Sequence, residues 1–227
     1  MLVILLPGWM HNQNHWNAVC SQLDTLKTKY SFIEFPGFGA DPADPLLTDV
    51  DAVTAWLHKK LSVVDEPFML CGHSFGGRVA VAYQATYPER VSSLCLIGSP
   101  NLYLPSPLTR IKKTVVAILK PARSFIPEFL RSKIRSSDFD AVRGTSLELL
   151  FKNVIAHDQI NLLRNIAIET YLLWGADDEA VPLRVAEKIN QCLHNSKLDV
   201  VPHSGHNLHI EKPALTAAKI TEYAKNY

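Results

Sequence analysis

Apolar residues recur along this chain in two alternating rhythms. Short continuous runs at Leu2–Leu6, Ser31–Phe35, Phe68–Cys71 and Ser93–Ile97 read as strands buried on both faces of a parallel sheet. Between them the spacing widens to three and four residues. Asn14–Leu26 carries Trp16, Val19 and Leu23. Asp49–Val63 carries Val53, Trp56, Leu57 and Leu61, with Thr48 and Asp51 in capping-box register. Gly76–Tyr87 carries Val79, Ala80 and Tyr83 and stops at Pro88. Repeated strand–helix units predict right-handed crossovers and a sheet covered on both faces.

The strand rhythm stops at about Asn101. Pro105, Pro107, Pro121 and Pro127 divide helical stretches, and a long helical pattern runs from Asp140 to Leu163. Strands resume at Glu169–Trp174 and Lys197–Val201, with a helix at Leu183–Cys192 between them and a last one at Ala214–Tyr223. The expected organisation is an α/β core, residues 1–100 and 167–227, interrupted by a helical lid, residues 101–166. No internal repeat is evident.

Length and composition fit that plan. A chain of 227 residues makes one domain, or one domain with a lid. A net charge of +1 gives the whole molecule no bias toward nucleic acid. The opening MLVILLPGW has no basic flank and no cleavage site, so it reads as a strand rather than a signal peptide. No run approaches the ~18 apolar residues of a membrane span. Cys20, Cys71, Cys95 and Cys192 form no C-x-x-C pair, and a reducing compartment such as the cytoplasm is expected.

Charge is uneven along the chain. Residues 103–136 carry Arg110, Lys112, Lys113, Lys120, Arg123, Arg131, Lys133 and Arg135 against Glu128 alone. Apolar residues interleave. A solvated basic face on amphipathic helices accounts for this. So does docking of an acidic partner, such as an acyl carrier protein, or of an anionic surface.

The chemistry centres on Gly72-His73-Ser74-Phe75-Gly76, a G-x-S-x-G between an expected strand and an expected helix. Such a turn strains the serine backbone, and side chains two positions away on either side would collide. It lifts the Ser74 hydroxyl above the sheet at a helix N-terminus, where an oxyanion is stabilised. A serine needs a base. His206, in Ser204-Gly205-His206, follows the last strand, so its loop reaches the edge where α/β sites form. Asp177, Asp178 and Glu179 follow the strand before it, and position alone leaves all three open as the acid that orients the imidazole. The string His203, His206, His209 does not converge at a spacing of three, so no metal is expected. His73 is expected to pack locally, and His11 and His15 to lie at the surface.

These segments together resemble the α/β-hydrolase family of lidded esterases, over nearly the whole chain. The family pattern G-x-x-D-x-x-x-P is matched by Gly175, Asp178 and Pro182, and the resemblance therefore selects Asp178. Gly205, His206, Glu211 and Pro213 match G-H-x-x-x-x-E-x-P, and Phe35–Gly39 is similar to the family's D-x-P-G-x-G turn. Pro7 stands where the family has His before its oxyanion loop. The resemblance implies that the backbone N–H groups of Trp9 and Phe75 form the oxyanion hole. The chain opens at the strand that normally comes third. About six parallel strands are expected, without the first hairpin and with an exposed edge. In length, lid position and the Pro7-Gly8-Trp9 turn the chain resembles the pimeloyl-carrier-protein methyl esterases within that family.

The function expected is hydrolysis of small or carrier-linked carboxylic esters through an acyl-enzyme, with Ser74, His206 and Asp178 as the triad and no cofactor. Leu147, Leu150, Phe151 and Ile155 share a helical stripe that serves as core or as the wall of an acyl pocket. Thioester or carbon–carbon hydrolysis would use the same triad. A silent binding module of this fold is the remaining alternative.

Overall fold

The computed structural model describes residues 1–102, 104 and 141–225. Strands β1 (Leu2–Leu6), β2 (Tyr30–Phe32), β3 (Phe68–His73), β4 (Val91–Ile97), β5 (Glu169–Gly175) and β6 (Ser196–Val201) form one sheet. Its order is β2-β1-β3-β4-β5-β6, and every pair is parallel. The six parallel strands expected from the sequence are therefore present. The edges are β2 and β6, and β2 is short, which limits what it offers to a pairing chain.

Among the described residues the helices are α1 (Gln13–Thr25), α2 (Val50–Lys60), α3 (Phe75–Thr86), α4 (Leu147–Ala156), α5 (Ile160–Arg164), α6 (Leu183–Cys192), α7 (Leu208–Glu211) and α8 (Pro213–Lys225). Alternate strand residues face opposite layers. Val3, Leu5, Cys71, Ile97 and Leu173 pack with Trp16 and Leu23 of α1 and Ile220 and Tyr223 of α8. Ile4, Leu6, Leu70, Leu96 and Leu172 pack with residues of α2, α3 and α6 on the other face. This two-sided burial is why the strands read as unbroken apolar runs. No helix among the described residues is long and apolar enough to cross a membrane.

Several local expectations are corrected. The second strand ends at Phe32 rather than Phe35, because the chain turns there and the Glu34 carboxylate accepts the N–H groups of Gln13 and Ala40. Asp49, not Thr48, caps α2, its carboxylate accepting the Ala52 N–H at 2.8 Å. The last turn expected of α2 is a 3₁₀ turn, Leu61–Val63. The long pattern from Asp140 breaks between α4 and α5. There Gln159 turns inward. Its N–H donates to Asn101 O at 2.8 Å, its side-chain NH₂ donates to Arg78 O at 2.9 Å, and its side-chain oxygen accepts from Asn101 at 2.9 Å. Ile155 is 59% exposed. Val154 replaces it on the buried face beside Leu147, Leu150 and Phe151. The basic residues of 103–136, and most of the expected lid, lie outside the described residues.

Candidate active site

Every candidate catalytic residue sits at the C-terminal edge of the sheet. Ser74 joins β3 to α3 with φ 49° and ψ −111°, a region that non-glycine residues rarely occupy. Its surroundings hold it there. The Ser74 N–H donates to Ile97 O at 2.9 Å, and its carbonyl accepts from the Ser99 hydroxyl at 3.1 Å and from the Gly77 N–H at 3.1 Å. The flanking glycines are required by close approach. A Cβ on Gly72 would meet Gly76 O at 2.4 Å, and one on Gly76 would meet Leu6 O at 2.3 Å.

β5 and β6 deliver Asp178 and His206, the expected acid and base. Asp178 is buried in the turn after β5, while its neighbours Asp177 and Glu179 are exposed. One Asp178 oxygen accepts the Val181 N–H at 2.7 Å, and the other lies 2.8 Å from His206 Nδ1. Only Nδ1–H can donate to that carboxylate, so the contact leaves the lone pair on Nε2, the form a general base needs. Gly98, with φ 53°, follows β4 and underlies the pair. A Cβ there would come 3.1 Å from His206 Nδ1 and 3.4 Å from Asp178 Oδ2. Of the three acids that position alone left open, Asp178 is the one in contact with His206.

The residues expected at the oxyanion hole adjoin Ser74. A Cβ on Gly8, just before Trp9, would stand 3.4 Å from Ser74 Cβ. Phe75 is the first residue of α3, where N–H groups have no intrahelical acceptor. The Trp9 ring meets Phe75 edge-on with centroids 5.4 Å apart, and also meets Phe38 at 5.0 Å and Phe151 at 5.1 Å. Leu147, Leu150 and Phe151 are buried in the same apolar cluster. Leu147 also approaches the Pro36–Phe38 turn, where a Cβ on Gly37 would lie 3.3 Å from its Cδ1.

The histidine string diverges as its spacing implied. His203 is exposed, His206 faces Asp178, and His209 is fully buried elsewhere. Sequence reasoning missed where His209 goes. His11 Nδ1 lies 3.1 Å from His209 Nε2, and His73 packs 4.4 Å from the His209 ring centroid. His11 is therefore half-buried in a cluster rather than at the surface, while His15 is exposed and stacks on it. His73 reaches beyond its own turn, its Nε2 lying 3.1 Å from His206 O. Burial, and then the neighbouring imidazoles, push His11 down to about 4 and His209 down to about 3. The same causes hold His73 well below the ordinary histidine value. No spacing in the sequence links positions 11, 73 and 209, so only the fold reveals the cluster.

Comparison with known proteins agrees with this fold. Residues 3–219 match the model of the alpha/beta hydrolase family. A human monoacylglycerol lipase is 22% identical over 251 residues, covering 97% of this chain and 74% of that protein. The pimeloyl-[acyl-carrier protein] methyl ester esterase of Nitrosomonas europaea is 24% identical over 226 residues, covering 90% and 88%. Among solved structures, a serine hydrolase involved in carbazole degradation superposes with a TM-score of 0.76 at 21% identity, covering 100% of this chain and 92% of that one. Sheet order and sequence match agree: the chain belongs to the alpha/beta hydrolase family.

Proposed function

We propose that this protein is a serine esterase that cleaves carboxylic esters through an acyl-enzyme. The observation that carries the reading is the 2.8 Å contact between His206 Nδ1 and Asp178 Oδ2, formed on loops beside the strained Ser74 turn. Ser74 Oγ attacks the ester carbonyl carbon while His206 Nε2 takes its proton. The N–H groups of Trp9 and Phe75 hold the oxyanion, where losing one donor costs ~10²–10³ in rate. The C–O bond to the leaving alcohol then breaks, and that alcohol takes the proton from His206. Water, activated by the same base, releases the acid and restores Ser74. Asp178 accepts from Nδ1–H and orients the ring. No cofactor enters the scheme.

In this reading Leu147, Leu150 and Phe151 wall the acyl chain with Trp9, Phe38 and Phe75. Residues 101–166 act as the lid, and their basic stretch receives an acidic carrier protein bearing the ester. The name of the Nitrosomonas relative supports that choice of substrate class. Four free cysteines support a reducing, cytoplasmic setting.

Intact-mass spectrometry after fluorophosphonate treatment, on wild type and Ser74→Ala, tests the proposal alongside p-nitrophenyl esters of rising acyl length. A single adduct on wild type alone, with ester turnover lost in the variant, is expected. Labelling without ester turnover would move the assignment to thioester or carbon–carbon cleavage. No labelling would favour a binding module.

A further inference from the structure

His11, His73 and His209 come from the loop before α1, the end of β3 and the short helix α7, so three distant segments converge on one spot. One ring nitrogen of each lies within 4.8 Å of a nitrogen from both others. His73 and His209 are buried, with 1% and 0% of their surface exposed. The Nδ1 atoms of both are buried without a hydrogen-bond partner.

The tautomer of His73 follows from its one bond. Its Nε2 faces the His206 carbonyl, which can only accept, so Nε2 carries the proton and Nδ1 bears a bare lone pair. A ring whose second nitrogen donates to a backbone carbonyl has the arrangement typical of a metal ligand. His11 Nδ1 and His209 Nε2, 3.1 Å apart, can share only one hydrogen. A cation in its place would accept both lone pairs. Two carboxylates of the neighbouring loops are engaged elsewhere: Asp178 holds His206, and Glu211 accepts the N–H groups of Gly205 and Asn207.

We propose that His11, His73 and His209 form a binding site for a divalent transition-metal ion of the Zn²⁺ type, bound by three neutral imidazoles. Zinc–nitrogen bonds of 2.0–2.1 Å at tetrahedral angles place ligand nitrogens about 3.4 Å apart. The His11–His209 pair already stands near that spacing. The widest pair must close by at most about 1.4 Å, and the half-buried His11 is the member with room to move. Imidazole donors suit Zn²⁺, Ni²⁺ and Cu²⁺ rather than Mg²⁺ or Ca²⁺. The site adjoins the Ser74 turn, since His73 precedes Ser74 and bonds to the His206 carbonyl, but metal binding there does not depend on the esterase reading.

Titration of the chelator-treated full chain with Zn²⁺, and its absorption spectrum with Co²⁺, test the site. Wild type should bind one ion per chain and give the visible bands of a four-coordinate, nitrogen-ligated Co²⁺. His11→Ala, at a half-buried loop position, should keep its circular dichroism and lose about 100-fold or more in affinity. His15→Ala and His203→Ala, which remove exposed imidazoles outside the cluster, should bind as wild type. His209→Gln should lose the Co²⁺ bands as well. No saturable Zn²⁺ binding, or binding that survives His11→Ala in the folded protein, would overturn the proposal.

Discussion

The Glu211 carboxylate accepts the Gly205 N–H at 2.7 Å, and its second oxygen accepts the Asn207 N–H at 3.2 Å. One side chain thus clamps the backbone on both sides of His206. Glu211→Ala should release the loop and displace the imidazole without touching the reacting atoms. A misplacement of about 1 Å can cost ~10² in rate. Turnover of the variant should therefore slow by about one to two orders of magnitude, with KM little changed. Glu211→Gln, which keeps one acceptor, should lose less. Steady-state kinetics on a soluble ester would show it, and an equal rise in KM would argue against a positioning role.

Gly98 sits under the Asp178–His206 pair with φ 53°. Gly98→Ala puts a methyl group 3.1 Å from His206 Nδ1 and forces a left-handed backbone on a residue that resists it. The backbone contribution alone is about 1–2 kcal/mol. Denaturant unfolding should show that loss, and turnover should fall further than stability explains. A variant with normal turnover would mean His206 has room to shift.

Ser74 carries strain of about 1–3 kcal/mol at its backbone angles. Ser74→Ala and Ser74→Gly should both abolish turnover, but only glycine relieves the strain. Glycine also loses about 0.4–1 kcal/mol through the greater entropy of its unfolded chain. Ser74→Gly should therefore be more stable than Ser74→Ala by about 1 kcal/mol, or roughly 2–4 °C in Tm for a chain of this size. Equal melting temperatures would show that the turn is not strained.

The sheet and the turn at Ser74 were legible because each has a local signature. Six apolar runs marked six strands, and Gly72-His73-Ser74-Phe75-Gly76 sat where a strand had to become a helix. Asp178 was harder. Three acids stood in a row, and only burial and the contact with His206 separate Asp178 from its exposed neighbours. What stayed hidden depends on distant segments meeting. The Gln159 side chain breaks an otherwise continuous helical pattern because Asn101 and Arg78 offer it partners. His11 leaves the surface because His209 arrives from 198 positions away.

Gln159 ties Asn101 to the first turns of α3, and Asn101 itself donates to Gly77 O at 3.2 Å. Gln159→Leu keeps the volume and removes two buried side-chain hydrogen bonds. With partners left unsatisfied, the cost should be about 2–4 kcal/mol. Because Gly77 also bonds to the Ser74 carbonyl, turnover should decline before global unfolding as denaturant is added. Activity and circular dichroism that fall together would place the network outside the site.

The buried imidazoles also set the acid limit of the metal-free protein. His11, His73 and His209 have folded-state values below the unfolded value of about 6.5, with burial as the main cause. The rings facing them are each other, His15 and His206, and among the described residues no carboxylate offsets their charging. Above pH 6.5 both states hold these rings neutral, and their contribution to stability is complete. As pH falls below 6.5 the unfolded chain takes up protons that the fold refuses. Stability then declines until the folded rings protonate near 4 and near 3. Each ring kept neutral adds about 1.4 kcal/mol of loss per pH unit. Urea unfolding with chelator present should give a flat stability above about pH 7 and a steep fall between about 6 and 4.5, above the range where carboxylates titrate. Replacing His209 by Gln removes one such ring and should reduce that slope by about one proton's worth. A wild-type slope near zero in this window would mean that the rings accept protons without leaving the fold.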